Sequence, residues 1–164
     1  MVKKILSAML VLCAGLSFNF SPPIKAQTPG IEAGGTSLWD YLKRADYRAW
    51  NVWPGTKAYS EGHSPHGPLL TTYVNEIALK AITDKAGSLP NGSIIVTETH
   101  SPQKQLMTIT VMYKVKGYNP EAGDWFWARY LPGGRVAIEG KAGKCISCHQ
   151  KAKDNDFVMK HPLK

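Results

Sequence analysis

Gln105-Leu106-Met107-Thr108-Ile109-Thr110-Val111-Met112-Tyr113-Lys114-Val115-Lys116 decides the fold. Met107, Ile109, Val111, Tyr113 and Val115 alternate with Thr108, Thr110 and Met112. That period of two belongs to a strand whose faces see different surroundings. Before it, Pro90-Asn91-Gly92 turns into a β-rich run, Ser93 to Thr99, and Ser101-Pro102-Gln103 turns again. After it, a loop from Gly117 to Gly123 leads into Asp124 to Tyr130, and Pro132-Gly133-Gly134 turns into Arg135 to Glu139. Four strands joined by short turns make an antiparallel meander.

Upstream the period lengthens. Ser37-x-x-Asp40 has the form of a capping box, and Leu38, Tyr41, Leu42 and Ala45 follow at helical spacing, which predicts a helix over 38–48. Pro54, Gly55, Gly62, Pro65, Gly67 and Pro68 break the stretch from Asn51 to Pro68 into ordered loop. Tyr73, Ile77 and Ala81 share a stripe, which predicts a second helix over 72–85 with Gly87 as its stop. The class is α+β: a mainly antiparallel sheet with flanking helices and one further helix at the C-terminal end.

That last helix carries Cys145-Ile146-Ser147-Cys148-His149. C-x-x-C-H is the attachment signature of c-type haem. Two thiols three apart, and a His one step further, lie on one face of a helical turn. Such thiols can bond to two vinyl groups of one porphyrin while the imidazole reaches its iron. A zinc site would want a second Cys or His pair at ligand spacing, and the chain has no second C-x-x-C. A thioredoxin-like motif would sit early in a βαβ unit. The expected cofactor is therefore a single covalent haem c, held by Cys145 and Cys148 with His149 as proximal iron ligand. The small all-helical electron carriers place this motif near the N-terminus, and the four-helix haem bundle lacks a central run of strands.

The N-terminus has the form of an export signal. Lys3 and Lys4 precede a short apolar run, Ile5 to Leu16, too short to span a bilayer comfortably, with cleavage expected after Ala26. Residues 1–26 are read as signal peptide, 27–36 as a flexible Gly/Pro-rich leader and 37–164 as the haem domain. Without three lysines of the signal, the formal charge falls from +8 to +5. That is a solvated Lys-rich surface and no nucleic-acid site. The mature protein is expected to be periplasmic and not membrane-spanning. Its two remaining cysteines could form a disulfide there, which would explain neither their spacing nor the His.

The residues resemble the cytochrome P-460 and cytochrome c′-beta family of bacterial periplasmic haem proteins, over roughly Tyr47 to Val158. The resemblance rests on His66-Gly67 before Tyr73-Val74-Asn75, on Gly92-Ser93-Ile94-Ile95-Val96-Thr97-Glu98, on Gly117-Tyr118-Asn119-Pro120 with Gly123-Asp124-Trp125, and on C-x-x-C-H with Asp156-Phe157-Val158 after it. It implies an antiparallel sheet with the haem packed on it, His149 as proximal ligand and often a homodimer. Some members oxidise hydroxylamine or nitric oxide, and others bind small gases. Thr97 takes the place of the lysine that cross-links to porphyrin in the namesake enzymes. Leu70 takes that of a distal arginine, and His66 falls near a distal aromatic cap.

Two functions from different classes follow. One is a monohaem cytochrome that passes electrons to a periplasmic redox partner, binds a diatomic gas such as nitric oxide, or does both. The other is a haem oxidoreductase acting on hydroxylamine or nitric oxide, so enzymatic activity is left open. A disulfide or metal module without haem is the third. On the distal side, His66 is either the sixth iron ligand or a polar loop residue that caps a helix or meets a propionate. Met112 and Met159 are either thioether ligands or packing, His63 and His100 surface residues. Trp125-Phe126-Trp127 is expected between sheet and helices with one ring walling the haem. Thr97 either bonds a distal ligand or fills a strand position. Glu98 and Asp124 are either proton carriers or a strand edge and a surface turn.

Overall fold

The computed structural model describes residues 30–159 and 161–164. The expected signal at 1–26 and the first part of the leader lie outside them. Seven antiparallel strands form one sheet: β1 (Asn51–Val52), β2 (Ser60–Glu61), β3 (Leu69–Val74), β4 (Ile94–His100), β5 (Leu106–Lys114), β6 (Trp125–Tyr130) and β7 (Val136–Gly140). Their order is β1-β3-β4-β5-β6-β7, with β2 also pairing β3. Three helices flank the sheet: α1 (Gly35–Arg44), α2 (Glu76–Thr83) and α3 (Gly143–His149). The expected α+β meander is present, β4 to β7 being the four strands read from the sequence.

Three expectations need correction. The helix over 72–85 begins only at Glu76, because Leu69–Val74 pairs with β4 along its whole length. Tyr73 shares a four-residue spacing with Ile77 only by coincidence; Asn75 divides the two elements and accepts the Ala78 N–H on its side chain at 3.1 Å. The first helix starts at Gly34 as N-cap rather than at Ser37, and its cap comes from β7, where the Glu139 carboxylate accepts the Gly35 N–H. Asp40 pairs instead with Lys43 at 2.9 Å on the exposed face. Finally, the stretch from 51 to 68 contains two short strands rather than loop alone.

Strand alternation divides the core in two. On one face Leu38 and Leu42 of α1 pack with Tyr47, Ile94, Val96, Ile109, Val111, Tyr113, Phe126, Ala128 and Tyr130. The other face carries Ile95, Met112, Trp125 and Trp127, covered by α2 and by Phe157, Val158 and Leu163 near the C-terminus. Asn155 ties that terminal segment down, donating to the carbonyls of Val158 and His161 at 2.7 and 2.8 Å and accepting the Leu163 N–H at 2.8 Å. The second face is only partly filled by this packing, and the remaining space is the site.

Candidate functional site

The floor of the site is set by strand register. Ile95 lies opposite Met112, and Met112 opposite Trp127. One step along, Thr72, Thr97, Thr110 and Arg129 form a second row across β3 to β6. The Thr72 and Thr97 hydroxyls meet at 3.3 Å, and Thr110 Oγ1 donates to the Thr97 carbonyl at 3.4 Å. Leu70 of β3 extends the floor, while Trp53, His63 and His66 come from the loop before it. The opposite wall is α3, with Cys145, Cys148 and His149, continued by Val158, Met159 and His161. These surfaces enclose about 490 Å³, within the roughly 300–1,000 Å³ of small-molecule and cofactor sites.

One helical turn places both thiols and the imidazole on this cavity, because residues three and four apart share a helix face. Cys145 and Cys148 carry free thiols. Burial pushes the Cys145 thiol up from its ordinary range, with the Arg129 guanidinium opposing and Cys148 adding to the shift. His149 is held more firmly. Its Nδ1 lies 2.7 Å from the Phe157 carbonyl oxygen, and its ring packs 4.7 Å from that of Trp127 at 65°. A carbonyl only accepts, so Nδ1 carries the proton and Nε2 presents its lone pair. Burial lowers the His149 pKa, with the Phe157 bond acting against it. A neutral imidazole fixed through its other nitrogen is the arrangement of a metal-binding histidine.

Across the cavity His66 faces this ring, with centres 6.1 Å apart and planes at 86°. Two imidazoles bound to one metal from opposite sides, at roughly 2 Å per bond, hold their ring centres about 6 Å apart. The polar groups of the lining also suit a flat ring with a polar edge. Trp127 Nε1 and Arg129 Nε are buried without a hydrogen-bond partner, which proteins seldom tolerate unless something else satisfies them. A porphyrin fits these residues: two thiols, a neutral imidazole, a second imidazole opposite and a largely apolar wall.

The structure brings Cys145, Cys148, His149, Thr97, His66 and Leu70 to one cavity, together with Met112, Met159, His63 and Trp127. Trp127 is the one ring of its cluster that lines it; Phe126 packs against the other face. Glu98 and His100 lie elsewhere. Both are buried, so Glu98 is no strand edge and His100 no surface residue. Glu98 accepts from Tyr47 Oη and Arg48 Nε, each at 2.7 Å, beyond the sheet from the cavity. The Asp124 carboxylate accepts the N–H groups of Gly117 and Asn119 and organises a turn. Sequence reasoning missed Arg129, Trp53 and His161. For Arg129 the signal was there: it stands two residues beyond Trp127 on a strand.

Among the described residues, no three His, Cys, Asp or Glu side chains cluster as they would to hold a metal ion unaided. A family model described as Cytochrome P460 matches residues 44–160, which contain every lining residue except His161. No curated protein matches the chain.

Proposed function

The chain belongs to the cytochrome P460 family of haem-binding cytochromes, and from that premise we propose that it is a periplasmic monohaem c-type cytochrome built for one-electron transfer. Cys145 and Cys148 would hold one haem through thioether bonds, and His149 and His66 would offer nitrogen donors to its iron. The carrying observation is the 6.1 Å separation of the two imidazole rings inside the thiol-lined cavity. The haem, when bound, supplies the reversible one-electron couple. The chain supplies orientation through the Phe157–His149 bond, a largely apolar lining, and two nitrogen donors, a set that keeps rearrangement between redox states small.

Binding of a diatomic gas such as nitric oxide is the second reading, and Leu70 favours it. An aliphatic wall offers nothing to a bound anion but accepts a small neutral molecule. Oxidation of hydroxylamine is less well supported. Thr97 presents a hydroxyl where the cross-linking amine would stand, and of the proton carriers weighed for that chemistry only His66 lines the cavity.

The site's surroundings suit an acidic redox partner. Lys141, Lys144, Lys151 and Lys153 are exposed around α3, and Glu121 is the acidic residue that shares a surface depression with Lys141 and Lys153. No described helix is long and apolar enough to cross a membrane. Export and a homodimer remain part of the proposal.

The test is the protein matured with haem-attachment machinery, read by intact mass and by absorption of its oxidised and reduced forms. One haem's added mass, a low-spin ferric spectrum and slow reaction of the ferrous form with carbon monoxide are expected. A colourless protein of bare polypeptide mass would refute the reading. A high-spin iron that binds the gas at once would replace electron transfer by gas binding.

A further inference from the structure

We propose that Asp156 is a positioning residue for His149, and that its buried pairing with Lys114 sets the donor strength of the imidazole. The inference rests on His149 being the proximal ligand of a covalently held haem.

Asp156 and Phe157 are consecutive residues in the left-handed region, with φ of 54° and 65°. For residues with a Cβ this backbone is costly, and two in succession persist only where their surroundings over-determine them. Here the turn has a product. It places the Phe157 carbonyl 2.7 Å from His149 Nδ1.

What imposes the turn is the Asp156 side chain. One carboxylate oxygen pairs with Lys114 Nζ of β5, and the other accepts the Leu89 N–H at 2.7 Å. The Asp156 carbonyl takes the Trp125 indole N–H at 2.9 Å. Three separate parts of the chain therefore converge on one residue. Lys114 is itself held over the Trp125 ring at 4.5 Å. Both partners are almost fully buried, with side-chain exposures of 12% and 8%.

A buried ion pair is an expensive way to fill space, and a left-handed turn alone would be served by Gly or Asn. The carboxylate adds an anchor. Asp156 fixes where Phe157 begins, and the Val158 N–H, donating to the Asn155 carbonyl at 3.0 Å, holds the peptide whose carbonyl reaches His149. A firm acceptor on Nδ1–H raises the basicity of the ligating nitrogen, and a more basic ligand favours the oxidised metal.

The test compares wild type with Asp156→Ala and Asp156→Asn as holoproteins. Its readouts are reduction potential, solvent exchange of the His149 ring N–H by NMR, and melting temperature. Leu42→Ala, in the core on the far face of the sheet, serves as a destabilised control. Asp156→Ala should raise the potential and speed exchange of the ring proton. Asp156→Asn, which keeps an acceptor for Leu89, should lie between, and Leu42→Ala should lower the melting temperature alone. If Asp156→Ala does not accumulate, Lys114→Gln removes the same pair from the other side and should shift both readouts in the same directions. A variant that melts earlier with potential and exchange unmoved overturns the inference while leaving the haem reading intact. Absence of covalent haem from the wild type overturns both.

Discussion

His66 and His149 meet edge to face across the cavity, ring centres 6.1 Å apart, although 82 residues separate them in the chain. If both bind iron, a gas must displace His66 before it can enter. Its apparent affinity is then reduced by the fraction of molecules with the site open. His66→Ala removes that competition. The ferric protein is expected to change from low to high spin, and carbon monoxide should bind the ferrous form at least about tenfold more tightly, roughly 1.4 kcal/mol. Optical titration checks this, and an unchanged affinity would show that His66 was never a ligand.

Glu98 gives a contrasting prediction, because it stands one residue from Thr97 yet points to the other face. Its carboxylate is buried and binds Tyr47 and Arg48. Arg48 is 56% exposed, so solvent screens much of the ion pair. The buried hydroxyl bond and the desolvated neighbourhood carry the rest. Glu98→Ala is expected to cost about 2–3 kcal/mol in denaturant unfolding. The absorption spectrum of the haem should not change, and a shift there would mean that the two faces are coupled.

The fold was most legible where neighbouring residues see different surroundings. On β5, Ile109, Val111 and Tyr113 pack in the cluster under α1 while Thr110 and Met112 line the cavity, so alternation is written into the residue types. It was least legible at β3, where Leu69–Val74 runs into α2 with one capping residue between them. Tyr73, Ile77 and Ala81 then imitate a single helical stripe. The site divides in the same way. C-x-x-C-H is local, so its spacing alone brings Cys145, Cys148 and His149 together. Thr72 and Arg129 join Thr97 only through strand register, which no short stretch encodes. Parity did separate Glu98 and His100 from Thr97. What covers Glu98 came from Tyr47 and Arg48, some fifty residues away, and His100 meets the Tyr59 ring at 4.8 Å.

Alkaline stability should be governed by the face under α1. Burial, above all, lifts the Tyr47 and Tyr130 hydroxyls well above their ordinary value of 10.0, with Glu98 and Glu139 adding to the shifts respectively. The folded chain therefore keeps protons that the unfolded chain releases. Stability is full below the unfolded value and falls as pH rises beyond it. Tyr130→Phe forfeits the bond from Tyr130 Oη to the Gly35 carbonyl, 2.8 Å long, and should cost about 1 kcal/mol near neutrality. Its deficit relative to wild type is expected to shrink between about pH 9 and 11. Melting curves across that range test the sign; a widening gap would contradict it.

Gly62 controls how the distal loop reaches the cavity. A Cβ built there would stand 2.2 Å from the Gly67 carbonyl oxygen and 2.7 Å from Leu70 Cγ. The loop has little freedom to yield, since the Gly62 N–H donates to Pro68 at 2.8 Å and the His66 N–H to His63 at 2.9 Å. Relief must come from moving Gly67, and His66 is bonded directly to it in the chain. Gly62→Ala should cost about 1–3 kcal/mol, the usual range for overpacking. It should also add a high-spin fraction to the ferric spectrum while the haem stays attached, because α3 and the Phe157 carbonyl are untouched. Parallel unfolding and optical measurements separate the two effects. A variant that loses stability but keeps the wild-type spectrum would show that the strain stops short of His66.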